Sequence, residues 1–408
     1  MAHAHSHDAA GPAAPRTTFL LVVTLVSALL VTLAGLWLLW PNAGDVPDRV
    51  PARAEGTSFV DVTVTGPADP TTGSIPVELP GGEPSRMQSP GPSIPLADGD
   101  RIIAVDISAV AQPGVDPLVF MDFQRELPIA LLAIVYALVV LLVARWRGLA
   151  AMAGLGLAFV VLLGFTMPAL LAGESAIGVA LVTSSLVMFV TLYLAHGLSA
   201  RTSTALLGTL VGLALTAGLA AWASGAAQIT GTNDEMSAFL PSSAPGADLR
   251  GIALCGIVLA GMGVLNDVTI TQASAVWELR AVAPAASRAE LFTSAMRIGR
   301  DHIASTVYTI AFAYVGAALP LLMMVWLVDQ SPTTALTSGE IAEEVVRTLV
   351  GSIGLVLAIP ITTAIATLTV PGPAAEGSTM PEPASDPELM APVSEAWAAG
   401  PGPGTTAT

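Results

Sequence analysis

The chain has 408 residues, of which 53% are hydrophobic and only 11% charged. A soluble domain carries about 25% charged residues, so the composition excludes an ordinary soluble protein and points to the membrane. The formal net charge of −16 excludes nucleic acid as a partner. All 15 basic residues are arginine, which rules out a P-loop lysine, a Schiff base and a Ser-Lys dyad. The only cysteine is Cys255, so there is no intrachain disulfide.

In chain order, residues 1–18 form a polar tail in which "MAHAHSHDAAG" sets His3, His5 and His7 at alternate positions beside Asp8. Such a tract offers weak binding to Zn²⁺, Ni²⁺ or Cu²⁺, with no second shell to fix the rings. An apolar run at 19–40 follows Arg16. It exceeds the roughly 7–15 residues of a secretory h-region and no small-x-small site follows directly, so it reads as an uncleaved membrane anchor. Residues 41–126 are polar and show strand alternation, as in "FVDVTV" at 59–64, which sets Val60, Val62 and Val64 on one face. "LADGDRIIAVDIS" at 96–108 is a turn feeding a strand, with Gly99 permitting the turn. This region predicts a small β barrel or sandwich, OB-like, without an aromatic ladder or basic stripe for a ligand.

Seven further apolar runs lie in 127–370, at about 127–144, 149–171, 177–197, 203–225, 251–274, 303–328 and 347–370, each near the ~20 residues a span needs. Pro168, Pro320 and Pro360 fall inside three of them and permit kinks. Counting the anchor, eight spans put both termini on one side. Arg16, Arg145, Arg147, Arg201, Arg280, Arg288, Arg297 and Arg300 make that side the cytoplasm, and the β region then lies outside. His196, just before "GLSART", is expected to cap a helix near the inner surface. Residues 371–408 are acidic, rich in Pro, Gly and Ala, and read as a disordered cytoplasmic tail.

One stretch resists a purely structural account. "GMGVLNDVTITQASAVWELR", 261–280, carries Asn266 and Asp267 side by side within a membrane helix. A carboxylate at mid-bilayer costs about 2.5–3.5 kcal/mol on the insertion scale. At ~100° per residue, Gly256, Ala260, Gly263, Asp267, Thr271, Ser274 and Glu278 share one stripe. Small and polar residues together predict that the stripe faces the interior of the bundle. Asp267, with Asn266, Thr271, Ser274 and Glu278, then reads either as an ion or substrate pathway or as a buried structural group. A membrane aspartyl protease is excluded, because the required second intramembrane carboxylate is missing. In "RIGRDH", 297–302, Arg300, Asp301 and His302 read as a cytoplasmic gate or as the cap and anchor of the following span, Asp301 being the capping residue. HExxH, CxxC and GxSxG motifs are absent, so no catalytic residue and no cofactor is assigned.

The segments "GMGVLNDVTITQASAVWELR", "LFTSAMRIGRDHIASTVYTIAFAYVGAALPLL" (291–322), "VRTLVGSIGLVLAIPITTAIA" (346–366) and "HGLSARTSTALLGTLVGL" (196–213) stand in fixed order. In these the chain resembles the YibE/F family of multispanning membrane proteins, over roughly 120–370. The resemblance implies a multi-pass protein of a bacterial cell membrane; it carries no established substrate. The expectation is an all-α polytopic membrane bundle of about eight transmembrane helices, with a small extracytoplasmic β domain after the first helix. Its leading function is that of a transporter or permease-like component built around Asp267. The runner-up is a non-transporting scaffold whose outer domain binds an envelope partner. The lipid bilayer, a second copy of the chain and an envelope protein are the expected partners.

Overall fold

The computed structural model describes residues 15–232 and 235–372. The histidine tract and the acidic tail lie outside the described residues. The rest divides into a β barrel and a helical bundle. The barrel comprises β1 (Ser58–Val64), β2 (Ser74–Glu78), β3 (Pro84–Gln88), β4 (Arg101–Asp106) and β5 (Leu118–Phe123). These close in the order β1-β2-β3-β5-β4, with β3 and β5 parallel and the other neighbours antiparallel. A closed five-stranded barrel fits the OB-like expectation and not the sandwich. The alternation in β1 places Val62 and Val64 inside, where they meet Ile75, Val77, Met87, Ile102, Ala104 and Leu118. Gly99 takes φ +88° in the turn before β4, a conformation for which glycine carries no steric cost.

The helices are α1 (Pro15–Leu38), α2 (Glu126–Val161), α3 (Met167–Leu171), α4 (Ala176–His196), α5 (Ala200–Ala226), α6 (Glu235–Ser243), α7 (Leu249–Val282), α8 (Arg288–Ala317), α9 (Leu319–Leu327), α10 (Pro332–Leu336) and α11 (Gly339–Thr369). Among the described residues six helical stretches are long and apolar enough to cross a membrane, or seven if the bent pair α8–α9 is one span. The protein is a membrane-embedded, multi-pass chain. The count differs from the expected eight because 127–144 and 149–171 fall on one stretch, Glu126–Leu171. That stretch is interrupted at Arg145, whose φ of 54° and ψ of −133° are not helical. A Cβ on Gly148 would stand 2.7 Å from the Val140 carbonyl oxygen, so the chain folds closely on itself there.

The three prolines act differently. Before Pro168 the helix widens into a π turn, Leu162–Thr166, which accommodates the missing N–H. At Pro320 the helix breaks, and α8 and α9 meet at 67°. At Pro360 α11 continues unbroken. The centre of the bundle is formed by α4, α5, α7 and α11; α1 and α2 pack on α4, and α8 packs on α7 and α11.

Candidate functional site

The helix α7 runs through the middle of the bundle, so its faces decide what the site can be. Its buried face is Leu254, Ile257, Val258, Gly261, Leu265, Val268, Thr269, Gln272 and Val276. The stripe expected inside is instead the outer face. Gly263, Asp267, Thr271 and Glu278 are exposed, while Gly256, Ala260, Asn266 and Ser274 are half-buried. The correction has a physical cause. α5 and α11 pack on the side of α7 that carries Thr269 and Gln272, and they satisfy those groups internally. A Cβ added to Gly256 or Gly263 would meet nothing within 4 Å, so the space above the upper half of the stripe is open.

Asp267 nevertheless has a neighbour. Its Oδ2 stands 3.9 Å from Nε2 of His302, which projects from α8. This is ion-pair range but too long for a hydrogen bond. The Asp267 side chain is 71% exposed and that of His302 29%. His302 Nε2 is itself shut off from solvent and has no hydrogen-bond partner, and the same holds for Asn266 Oδ1. Thr271 donates its hydroxyl to the Asp267 carbonyl at 2.7 Å, which holds the backbone and leaves the carboxylate uncommitted. The geometry sets a solvent-exposed carboxylate beside a desolvated imidazole nitrogen that has no hydrogen-bond partner.

The packing of α8 on α7 positions that pair. Gln272 Nε2 donates to the Ala295 carbonyl at 2.9 Å and to Thr363 Oγ1 at 2.7 Å, tying α7 to α8 and α11 at once. Gly299 makes the approach possible: a Cβ there would lie 2.7 Å from Ile359 Cγ2 and 3.1 Å from Gln272 Oε1. Arg300 and Asp301 are exposed on α8, and among the described residues the ion-pair neighbour of Asp267 is His302 rather than Arg300. Asp301 lies well inside α8 and does not cap it. The cap is Ser287, whose hydroxyl accepts from the Glu290 N–H while Glu290 accepts from the Ser287 N–H, a complete capping box. His196 ends α4, before Gly197 at φ +75°.

Sequence reasoning missed the hydroxyl seam behind α7. Thr202, Thr204, Thr209, Thr216 and Ser224 of α5, Thr269 of α7, and Thr362, Thr363, Thr367 and Thr369 of α11 are all buried. Thr209 and Thr269 share a hydrogen bond of 2.6 Å, and Thr204 and Thr369 one of 2.9 Å. The signal was present in the regular spacing of Thr202, Thr209 and Thr216, seven apart on α5. Among the described residues no group of three or more His, Cys, Asp or Glu could hold a metal.

Fold and site together define a polytopic membrane protein whose central helix carries an ionisable outer face. The chain belongs to the YibE/F-like protein family, which matches residues 132–372. The match takes in α7, α8 and α11 and leaves out α1 and the barrel. No curated protein and no solved structure matches.

Proposed function

We propose that the protein is a transporter or permease-like component in which Asp267 and His302 form the ion- or substrate-handling pair. The observation that carries this reading is the 3.9 Å separation between Asp267 Oδ2 and a desolvated, unpartnered His302 Nε2. Ionisable groups within spans are costly and rare, and substrate and ion paths are among the places they mark. The exposed face of α7 that carries Asp267 is open above it at Gly256 and Gly263, and α8 continues into a broken span, a feature also found in transporters. Asn266, Thr271, Ser274 and Glu278 belong to the same path, and Arg300 and Asp301, beside His302 on α8, to its gate. In this reading the reversal at Arg145 divides Glu126–Leu171 into two crossings. Eight crossings then leave the barrel outside and both termini in the cytoplasm of a bacterial cell.

A scaffold reading rests on a different observation. The same open face, Gly256, Ala260 and Gly263, is of the small-residue kind on which a partner helix packs closely. An untargeted comparison of ion and metabolite content between deletion and wild-type cells separates the two. Transport predicts a change in a small set of solutes that wild-type protein restores and Asp267→Asn does not. Unaltered solutes in the deletion strain would leave the scaffold standing.

A further inference from the structure

At one end of the bundle the last turn of α7, the start of α8, the start of α5 and the last turn of α11 meet in a single apolar cluster. Val276, Trp277, Leu291, Ala295, Ala366 and Val370 form it, with Ala200, Leu279 and Ala286 against it. Arg280 lies at this end and is 3% exposed. Its Nη1 donates to the Pro284 and Ala286 carbonyls at 3.0 and 2.7 Å, which shapes the loop between α7 and α8. Its Nε and Nη2 are buried without any partner. Arg288, exposed at the start of α8, adds a second positive charge close enough to act on it. Arg201 sits in the first turn of α5 at the same end, and Arg147 is near enough to act with it on His196. Among the described residues, none of these four arginines has a carboxylate within ion-pair distance; the acidic partners present elsewhere serve Arg125, His302 and Arg347.

A buried guanidinium with two idle N–H groups and no counter-charge is costly, because its desolvation is uncompensated. The chain carries the missing charge nearby. Val370, 2% exposed, is part of the cluster, and the description ends two residues later. Residues 373–408 hold five carboxylates (Glu376, Glu382, Asp386, Glu388 and Glu395) and no basic residue. An extended chain reaches up to ~3.3–3.6 Å per residue, so all five can return to the end from which the chain departs.

We propose that the acidic segment 373–408 docks through its carboxylates on the arginine-bearing end of the helical bundle around Arg280. The segment acts as an intramolecular counter-charge, displaced by salt or by competing anionic surfaces. The inference does not depend on what Asp267 does or on which side of the membrane this end lies.

Spin labels on Val282→Cys and Ser385→Cys in the full chain, reconstituted in phosphatidylcholine nanodiscs, test it; Cys255 is buried and stays unlabelled. A defined short-distance population is expected at about 0.1 M salt and should fall at least roughly twofold at about 1 M, where the Debye length drops from ~10 to ~3 Å. The same loss is expected when Glu376, Glu382, Asp386, Glu388 and Glu395 are replaced by Gln or Asn, and a partial one with the exposed Arg288→Gln. Adding phosphatidylserine should also displace the segment. A broad, long-distance distribution that ignores salt, tail charge and Arg288 overturns the proposal and assigns these arginines to lipid headgroups. Neutralising the tail leaves every residue of the bundle in place, so that variant cannot fail through misfolding of the acceptor end.

Discussion

The barrel and the bundle solve the problem of a core in opposite ways. The barrel interior is a cluster of eight apolar side chains from five short strands, with Met87, Ile102 and Ala104 fully buried. The bundle interior, between α5, α7 and α11, is threaded with threonines and closed over glycines. In water, removing apolar surface drives folding, and any buried hydroxyl is a liability. Between membrane helices that drive is missing, because lipid is as apolar as leucine; close approach and interhelical hydrogen bonds take its place. The same chain therefore writes its two cores in different alphabets.

The largest effect is expected from Met87→Ala in the barrel. Truncation of a fully buried methionine costs about 2–5 kcal/mol, and a domain this small has only a few to lose. Limited proteolysis of the intact protein should cleave 41–126 rapidly while α4, α5, α7 and α11 stay protected. Loss of the bundle as well would show that the two cores are not independent.

Next comes Gly354→Ala, whose Cβ would lie 2.1 Å from Thr216 Oγ1. Overpacking of this kind costs about 1–3 kcal/mol, read as a lower melting temperature in detergent. Thr216→Ala should restore part of it, because it removes the obstructing hydroxyl and couples to the first change. If the two losses simply add, the close approach of α5 and α11 does not carry the core.

Gln272→Leu removes both hydrogen bonds that join α7 to α8 and α11. Two bonds at the average of about 0.6 kcal/mol each inside a membrane protein sum to about 1.2 kcal/mol. That is at the lower end of the range for Gly354→Ala, so the loss of thermal stability should be the smaller of the two. No change on the same melt would mean that packing alone holds α8.

The smallest effect is the acid dependence of the barrel. The Arg125 side chain, with the Phe123 N–H, holds the Asp122 carboxyl below the usual carboxylate value; the Ser108 bonds do the same for Asp106, and Thr71 for Asp69. A carboxyl with a lower pKa folded than unfolded stabilises above its unfolded value, ~3.9, and loses that contribution as pH falls through the folded one. The denaturant midpoint of the barrel, followed by a fluorophore on it, should be flat from pH 7 to about 5 and decline below about 4. Asp122→Asn should blunt the decline.

Much of this was legible in the sequence, and for identifiable reasons. Two-residue alternation in "FVDVTV" gives strand and face together, since each side chain in a strand has only two directions to take. Apolar run length places the spans. Hydropathy could not say whether 127–144 and 149–171 are one stretch or two, because the kink at Arg145 is a backbone event between two equally apolar runs. The stripe from Gly256 to Glu278 does share one face, as the helical repeat requires. Its direction depends on which neighbours reach α7, and a repeat on one helix is silent about that. The start of α8 was written plainly in "SRAE", 287–290, yet an apolar count begins only where charge ends. The threonine seam escaped because threonine looks polar in a list and acts as a packing residue in this core.

The central claim is that Asp267, opposite His302, is the working carboxylate of the protein. It is tested most directly by expressing Asp267→Asn in a deletion strain, with membrane protein level and melting temperature measured beside the solute phenotype. Asparagine keeps the shape on a face that is already exposed, so level and stability should match wild type while the phenotype falls to that of the deletion; His302→Gln should fall part of the way. An Asp267→Asn protein at normal level that restores the wild-type phenotype would contradict the account.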